Sequence, residues 1–162
     1  MERIKAVFPG SFDPFTKAHK RLCSEATNIG FDVTILICGN PNKGGGMFTV
    51  NERKEIIEQC FYPEDRVNVE IWDGLLTDYC NKHAICYAIR GIDYTNASEE
   101  LDLANIYYEE NCVHTIFFPI VQTQYKYDRS SRVREYINKG RHWESYVPEE
   151  CVSKIIEITK SK

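Results

Sequence analysis

The chain has 162 residues, 43 % of them hydrophobic, and a formal net charge of −4. That length suits one domain, 1–162, with a sizeable core, and the apolar content excludes a disordered chain. The acidic balance gives no reason to expect nucleic acid or an anionic membrane as partner, and no apolar run nears the roughly 20 residues of a membrane helix.

In chain order, IKAVF reads as a buried strand. TKAHKRLCSEATNIG follows as a helix, with Ala18, Leu22, Ala26 and Ile29 on one face and Gly30 at its C-terminal cap. DVTILIC is a second strand, and TVNERKEIIEQCF opens with Thr49 and Glu52 in capping-box spacing. VNVEIW, ICYAIRG and HTIFFPI are three more strands. Between them lie a short helix, LLTDYCNKH, and a longer one, NASEELDLANIYYEEN, which Asn96 is placed to cap. SSRVREYINKG and PEECVSKIIEITK are the last helices, with Pro148 in the first turn of the second. This alternation predicts an α/β fold: a mainly parallel five-stranded sheet with helices on both faces.

The N-terminal MERIKAVF has no signal-peptide apolar core, and the seven cysteines include no C-x-x-C pair. A cytoplasmic protein is therefore expected, with reduced, mostly buried thiols and no zinc or other metal held by side chains.

In such sheets ligands bind beyond the carboxyl ends of the strands. After the first strand comes PGSFDPFTKAH. Gly10 permits close approach of a ligand, Ser11 offers a hydroxyl, and Thr16 as helix cap puts His19 in the first turn, where helix N–H groups favour phosphate. A plain β-to-α turn with a solvated histidine fits the same letters. After the second strand, GNPNKGGG carries Lys43 on a glycine-rich loop that lacks the P-loop spacing. After the fourth, Arg90 precedes Gly91 and suits bidentate phosphate recognition, or a surface ion pair. After the fifth, Ser130 and Ser131 start a helix among Arg129, Arg132 and Arg134, again an anion site or a solvated basic turn. Four such turns at one sheet edge together describe a site for a polyphosphate and a second phosphorylated ligand.

PGSFDPFTKAH resembles the Gly-Ser/Thr-Phe-Asp-Pro…His signature of the nucleotidyltransferase α/β-phosphodiesterase superfamily. With NPNK, MFTVNERKEII, VNVEIWDGLL and AIRGI following in order, residues 4–150 are most similar to the bacterial phosphopantetheine adenylyltransferases. The resemblance implies a Rossmann-like fold, a hexamer, and transfer of AMP from ATP to 4′-phosphopantetheine with magnesium, giving dephospho-coenzyme A and pyrophosphate. It implies catalytic roles for His19, Ser11 and Lys43. It puts Ser11, Phe12, His19, Gly91, Ile92, Asp93, Glu100, Tyr125, Arg129, Ser130 and Ser131 at the nucleotide. Ser11, Lys43, Leu76 and Arg90 fall at the acceptor.

The chain departs from the family at Ala18, in place of a glycine, and at Asp93, in place of a second arginine. It also has Asp128-Arg129-Ser130-Ser131 in place of Ile-Ser-Ser-Ser. Arg129 or Arg132 is expected to take over the phosphate contact that Asp93 cannot make. Two other functions fit the residues: a related transferase with a mononucleotide or glycerol phosphate acceptor, and a non-catalytic nucleotide-binding module.

Overall fold

The computed structural model describes residues 2–39, 45–120 and 129–162. Five strands, β1 (Ile4–Gly10), β2 (Phe31–Cys38), β3 (Val67–Trp72), β4 (Tyr87–Ile92) and β5 (His114–Pro119), form one sheet in the order β3-β2-β1-β4-β5. Every pairing is parallel. The helices are α1 (Lys17–Asn28), α2 (Val50–Glu58), α3 (Leu76–His83), α4 (Ala97–Asn111), α5 (Ser130–Asn138) and α6 (Glu149–Lys160).

The central strands β1 and β2 are apolar on both sides because both faces are covered there. Ala6, Phe8, Ile35, Ile37 and Ile89 point to one face, where they pack with Leu22 and Ala26 of α1, Ile56 and Ile57 of α2, Val133 of α5 and Ile155 of α6. The alternate residues Val7, Leu36 and Ala88 meet Leu76, Tyr79 and Cys80 of α3 and Tyr107 of α4 on the other. Each such large side chain buried contributes about 1.5–3 kcal/mol. Thr49 and Glu52 close the expected capping box on α2: Glu52 N–H donates to Thr49 Oγ1 at 3.1 Å and Thr49 N–H to Glu52 Oε2 at 2.8 Å.

Three local expectations need correction. Ile29 is 65 % exposed rather than on the core face, because α1 ends one residue earlier and Cys23 takes its place beside Leu22 and Ala26. Asn96 precedes α4 but does not cap it; its side chain accepts from Asp93 N–H at 2.8 Å and donates to Gly91 O at 3.2 Å, closing the β4–α4 corner instead. Pro148 is the N-cap of α6, one residue outside the first turn. All seven cysteines are free and most are buried, as expected; Cys86 and Cys112, each outside an element just before β4 or β5, are exposed.

Candidate active site

The strand order reverses between β1 and β4, since β1 connects onward to β2 on one side and lies against β4 on the other. Beyond their carboxyl ends is a cleft of about 300 Å³. Ser11, Phe12, His19, Arg90, Gly91 and Ser130 line it, on a floor of Pro9 and Gly10.

That floor depends on one ring. Phe12 has φ +49 and turns its side chain back beneath Gly10, where it is 2 % exposed. A Cβ on Gly10 would stand 2.9 Å from the Phe12 ring, so only glycine fits. Phe12 meets Phe8 edge-on at 5.2 Å and the His19 imidazole at 5.0 Å, and Phe15 lies 5.4 Å from the same imidazole.

His19 is the third residue of α1, as the Thr16 cap predicts. Thr16 N–H donates to His19 Nδ1 at 3.0 Å. Nδ1 is therefore an acceptor, and the proton of the neutral ring sits on Nε2. Burial among aromatic rings pushes the imidazole pKa down to about 4, so it is neutral at pH 7. The result is an uncharged N–H donor of fixed tautomer in a cleft wall.

Asp13 organises the three loops around this turn. Its Oδ2 accepts from Met47 N–H and its Oδ1 from Phe48 N–H, both at 2.9 Å. Arg53 Nε lies 3.4 Å from Oδ1, with both side chains under a tenth exposed. The same guanidinium donates to Phe48 O at 2.8 Å, Gly45 O at 2.7 Å and Ser11 O at 3.2 Å. From the far side Arg134 Nη1 donates to Asp13 O at 2.6 Å, and Ser130 Oγ to Pro14 O at 2.8 Å. Gly46, at φ +83, passes so close that a Cβ there would collide with the Asp13 carboxylate and the Arg53 guanidinium. The sequence reading missed Arg53, although a signal was present: it shares a helical face with Val50, Ile56 and Ile57, an arginine where an apolar residue belongs.

At the end of β4, Arg90 Nε donates to Glu100 Oε2 and Nη2 to Glu100 Oε1, each at 2.7 Å, while Nη1 reaches Pro9 O at 3.2 Å. Of the two expectations for Arg90, the ion pair is present: its Nε–Nη2 edge is already filled. Glu100, expected at the nucleotide, is buried behind Arg90 on the first turns of α4. Asp93 is also turned inward, its side chain 4 % exposed. Its Oδ1 accepts from Thr95 N–H at 2.7 Å and from Thr95 Oγ1 at 2.5 Å, and Arg129 Nη2 stands 3.6 Å from Oδ2. Arg129, expected at the phosphate, thus faces Asp93 itself.

Other expected residues are dispersed. Leu76 is 8 % exposed, in the core with Tyr79 and Cys80, because those positions share its helical face; its neighbour Leu75 is the exposed one, at 60 %. Ile92 pairs with Pro119 in the sheet. Ser131 lines a separate hollow with Arg129, Arg132 and Glu135. Ser130 is on the cleft, but its hydroxyl hydrogen is spent on Pro14 O. Lys43, Tyr125 and Asp128 lie outside the described residues.

A reversing parallel sheet, a tight turn into a helix and a neutral imidazole at the crevice place a ligand site at the switch point of an α/β protein. Residues 7–136 match the cytidylyltransferase-like family. The fold is similar to a bifunctional NMN adenylyltransferase/ADP ribose pyrophosphatase from Francisella tularensis complexed with AMP and a manganese ion (TM-score 0.67, 19 % identity), which covers 90 % of this chain and is itself covered over 44 % of its length. It is also similar to the Plasmodium falciparum nicotinic acid mononucleotide adenylyltransferase complexed with APC (TM-score 0.66, 12 % identity, 98 % of this chain and 96 % of the other). At these identities the likeness is one of fold.

In sequence the chain is 35 % identical over 155 residues to the phosphopantetheine adenylyltransferase of Corynebacterium glutamicum strain R, spanning 95 % of this chain and 96 % of the relative. It is 30 % identical over 153 residues to that of Clostridium novyi, spanning 93 % and 94 %. The chain belongs to the cytidylyltransferase-like family and, within it, to the phosphopantetheine adenylyltransferases.

Proposed function

We propose that the chain transfers the adenylyl group of ATP to 4′-phosphopantetheine, releasing pyrophosphate and forming dephospho-coenzyme A. The observation that carries this reading is His19: a neutral imidazole whose tautomer is set by Thr16, on the same cleft as Ser11 and Arg90. A phosphate oxygen of the acceptor attacks the α-phosphorus in line, and pyrophosphate leaves from the opposite side. His19 Nε2–H donates to the phosphoryl oxygens as charge builds, without giving up its proton. Ser11 faces both ligands, Phe12 contributes backbone to ATP, and Lys43 and Arg90 draw the acceptor phosphate. Gly91, Ile92, Tyr125 and the first turn of α5 border the nucleotide.

No protein nucleophile enters this scheme. Burial raises the Cys23 thiol and pushes Cys80 up to about 11, while a hydrogen bond with Cys151, and then burial, raises Cys60, which keeps all three protonated. Magnesium, in this reading, arrives on ATP as part of the substrate. The carboxylates around the cleft do not suit a resident cation, since Asp13, Glu100 and Asp93 face Arg53, Arg90 and Arg129. Among the described residues no cluster of three or more metal-ligating side chains exists. The proposal includes a cytoplasmic homo-oligomer, a hexamer by family resemblance. Exposed Leu101, Ile106 and Tyr108 on α4 support self-association, and among the described residues no helix is long and apolar enough to cross a membrane.

Pyrophosphate release from ATP, measured with phosphopantetheine, nicotinamide mononucleotide, nicotinate mononucleotide and glycerol phosphate in turn, tests the reading. Turnover is expected with phosphopantetheine alone. Turnover with only a mononucleotide overturns it.

A further inference from the structure

We propose that Arg21 is a positioning residue for the nucleotide side of the cleft, and that it acts through the peptide between Pro119 and Ile120. This rests on the function proposed above, in which Gly91 and its neighbours border ATP.

That peptide is held at both poles. Toward β4, Ile120 N–H donates to Ile92 O at 2.9 Å, one step beyond the last pair of the β4–β5 ladder. A trans peptide points its carbonyl the opposite way, and there the Arg21 guanidinium donates to Pro119 O twice, from Nη2 at 2.7 Å and from Nη1 at 3.3 Å. β5 is an edge strand, so its outward carbonyls have no neighbouring strand to donate to them. At its last residue a charged donor from α1 takes that place. Arg21 is steadied along its own helix, with Nε 3.3 Å from Glu25 Oε1 and the side chain 17 % exposed.

What the peptide carries is a wall of the cleft. Ile120 lines the cleft, whereas Arg21 and Pro119 stand behind it. Ile120 faces Leu22 across the bare backbone of Gly91: a Cβ placed there would stand 3.0 Å from Leu22 Cδ1 and 3.1 Å from Ile120 Cδ1. Arg21 and Leu22 are successive residues of α1. Leu22 sets one side of the strip over Gly91 by direct packing, and Arg21 sets the other by fixing the peptide from which Ile120 projects. Without Arg21 the Ile120–Ile92 bond becomes a pivot, and the Ile120 side chain can swing across Gly91. His19 and Arg90 keep their own partners, Thr16 and Glu100, so the effect falls on ATP and spares the acceptor.

The test is direct binding of ATP and of 4′-phosphopantetheine to the full chain, with thermal midpoints as a check on folding and the KM for ATP measured against kcat. Arg21→Ala is expected to weaken ATP binding about tenfold, the scale of one charge-assisted hydrogen bond, and to leave 4′-phosphopantetheine binding within about twofold. The KM for ATP should rise by more than kcat falls. Arg21→Lys, which keeps a charged donor, should recover part of the loss and carries the test if the alanine variant folds poorly. In an Ile120→Ala background, Arg21→Ala should weaken ATP binding by less than about twofold more. Additive losses mean that the guanidinium acts by its charge at a distance, and they overturn the proposal. Unchanged ATP binding in Arg21→Ala, or equal weakening of both ligands, overturns it too. A wild-type chain that binds no ATP fails the function proposed above, and the proposal with it.

Discussion

Two arginine–carboxylate pairs flank the cleft, and they are built differently. In Asp13–Arg53 both side chains are under a tenth exposed, and each carboxylate oxygen also takes a backbone N–H. In Asp93–Arg129 the carboxylate is equally buried, but the arginine is 63 % exposed and its contact is longer, at 3.6 Å. A buried pair repays its desolvation only when every remaining hydrogen-bonding group is satisfied, and Asp13–Arg53 meets that condition by tying the loops after β1 and β2 together. The second pair meets it only for Asp93, through Thr95. The first is scaffold. The second is a buried carboxylate answered by an exposed arginine at the surface.

The largest expected effect breaks the first pair. Arg53→Ala leaves Asp13 buried beside two backbone donors with only the Arg134 guanidinium, 3.8 Å from Oδ2, as its remaining cation among the described residues, and should cost about 3 kcal/mol in urea unfolding. A loss under about 1 kcal/mol would erase the distinction between the two pairs.

His19 stands between them and separates chemistry from scaffold. His19→Ala should lower turnover about 100- to 1000-fold, while removing one capping contact, worth about 1 kcal/mol, and the ring's packing against Phe12 and Phe15. Its titration adds a second measurement. The folded pKa of about 4 lies below the ordinary 6.5, so above pH 6.5 the ring is neutral in both states and the fold is unpenalised. As pH falls from 6.5 toward 4 the unfolded chain takes up a proton that the folded ring refuses, and up to about 3 kcal/mol is lost. Unfolding free energies from pH 7 to pH 4 should show this decline in the wild type and a shallower one in His19→Ala. Equal slopes would mean that the ring is not sequestered.

The smallest effect concerns the rim. Arg129→Ala should change stability by less than about 1 kcal/mol, and weaken ATP binding about threefold to tenfold through loss of a mobile cation near the polyphosphate. An unchanged ATP affinity would make the Asp93–Arg129 pair a local strut only.

The sequence was most informative where the chain speaks locally. Strand runs, the Thr49–Glu52 box and the placement of His19 one turn after Thr16 all depend on residues a few positions apart. It was least informative about partners. The letters leave Arg90 between a phosphate fork and an ion pair because Glu100 is ten residues away, on another element, and nothing in them says that α4 turns it inward. Leu76 and Leu75 are adjacent leucines, and only the packing of Tyr79 decides which one is buried. Asp93 and Arg129 are the instructive case: two departures from a family pattern, far apart in sequence, turn out to face each other.

The bonds that assemble the cleft also have a kinetic meaning. Arg90 to Pro9 spans 81 residues, Ser130 to Pro14 spans 116, and Arg134 to Asp13 spans 121. Contacts of such long range form late, because the entropy of closing the intervening chain must be met before they reward it. During refolding the helices and the β1–β2 pair come within reach first, and the Asp13 corner can close only when α5 has docked. Affinity for ligand is therefore a property of the finished molecule, and a partly folded chain, however much secondary structure it holds, will not draw substrate from solution.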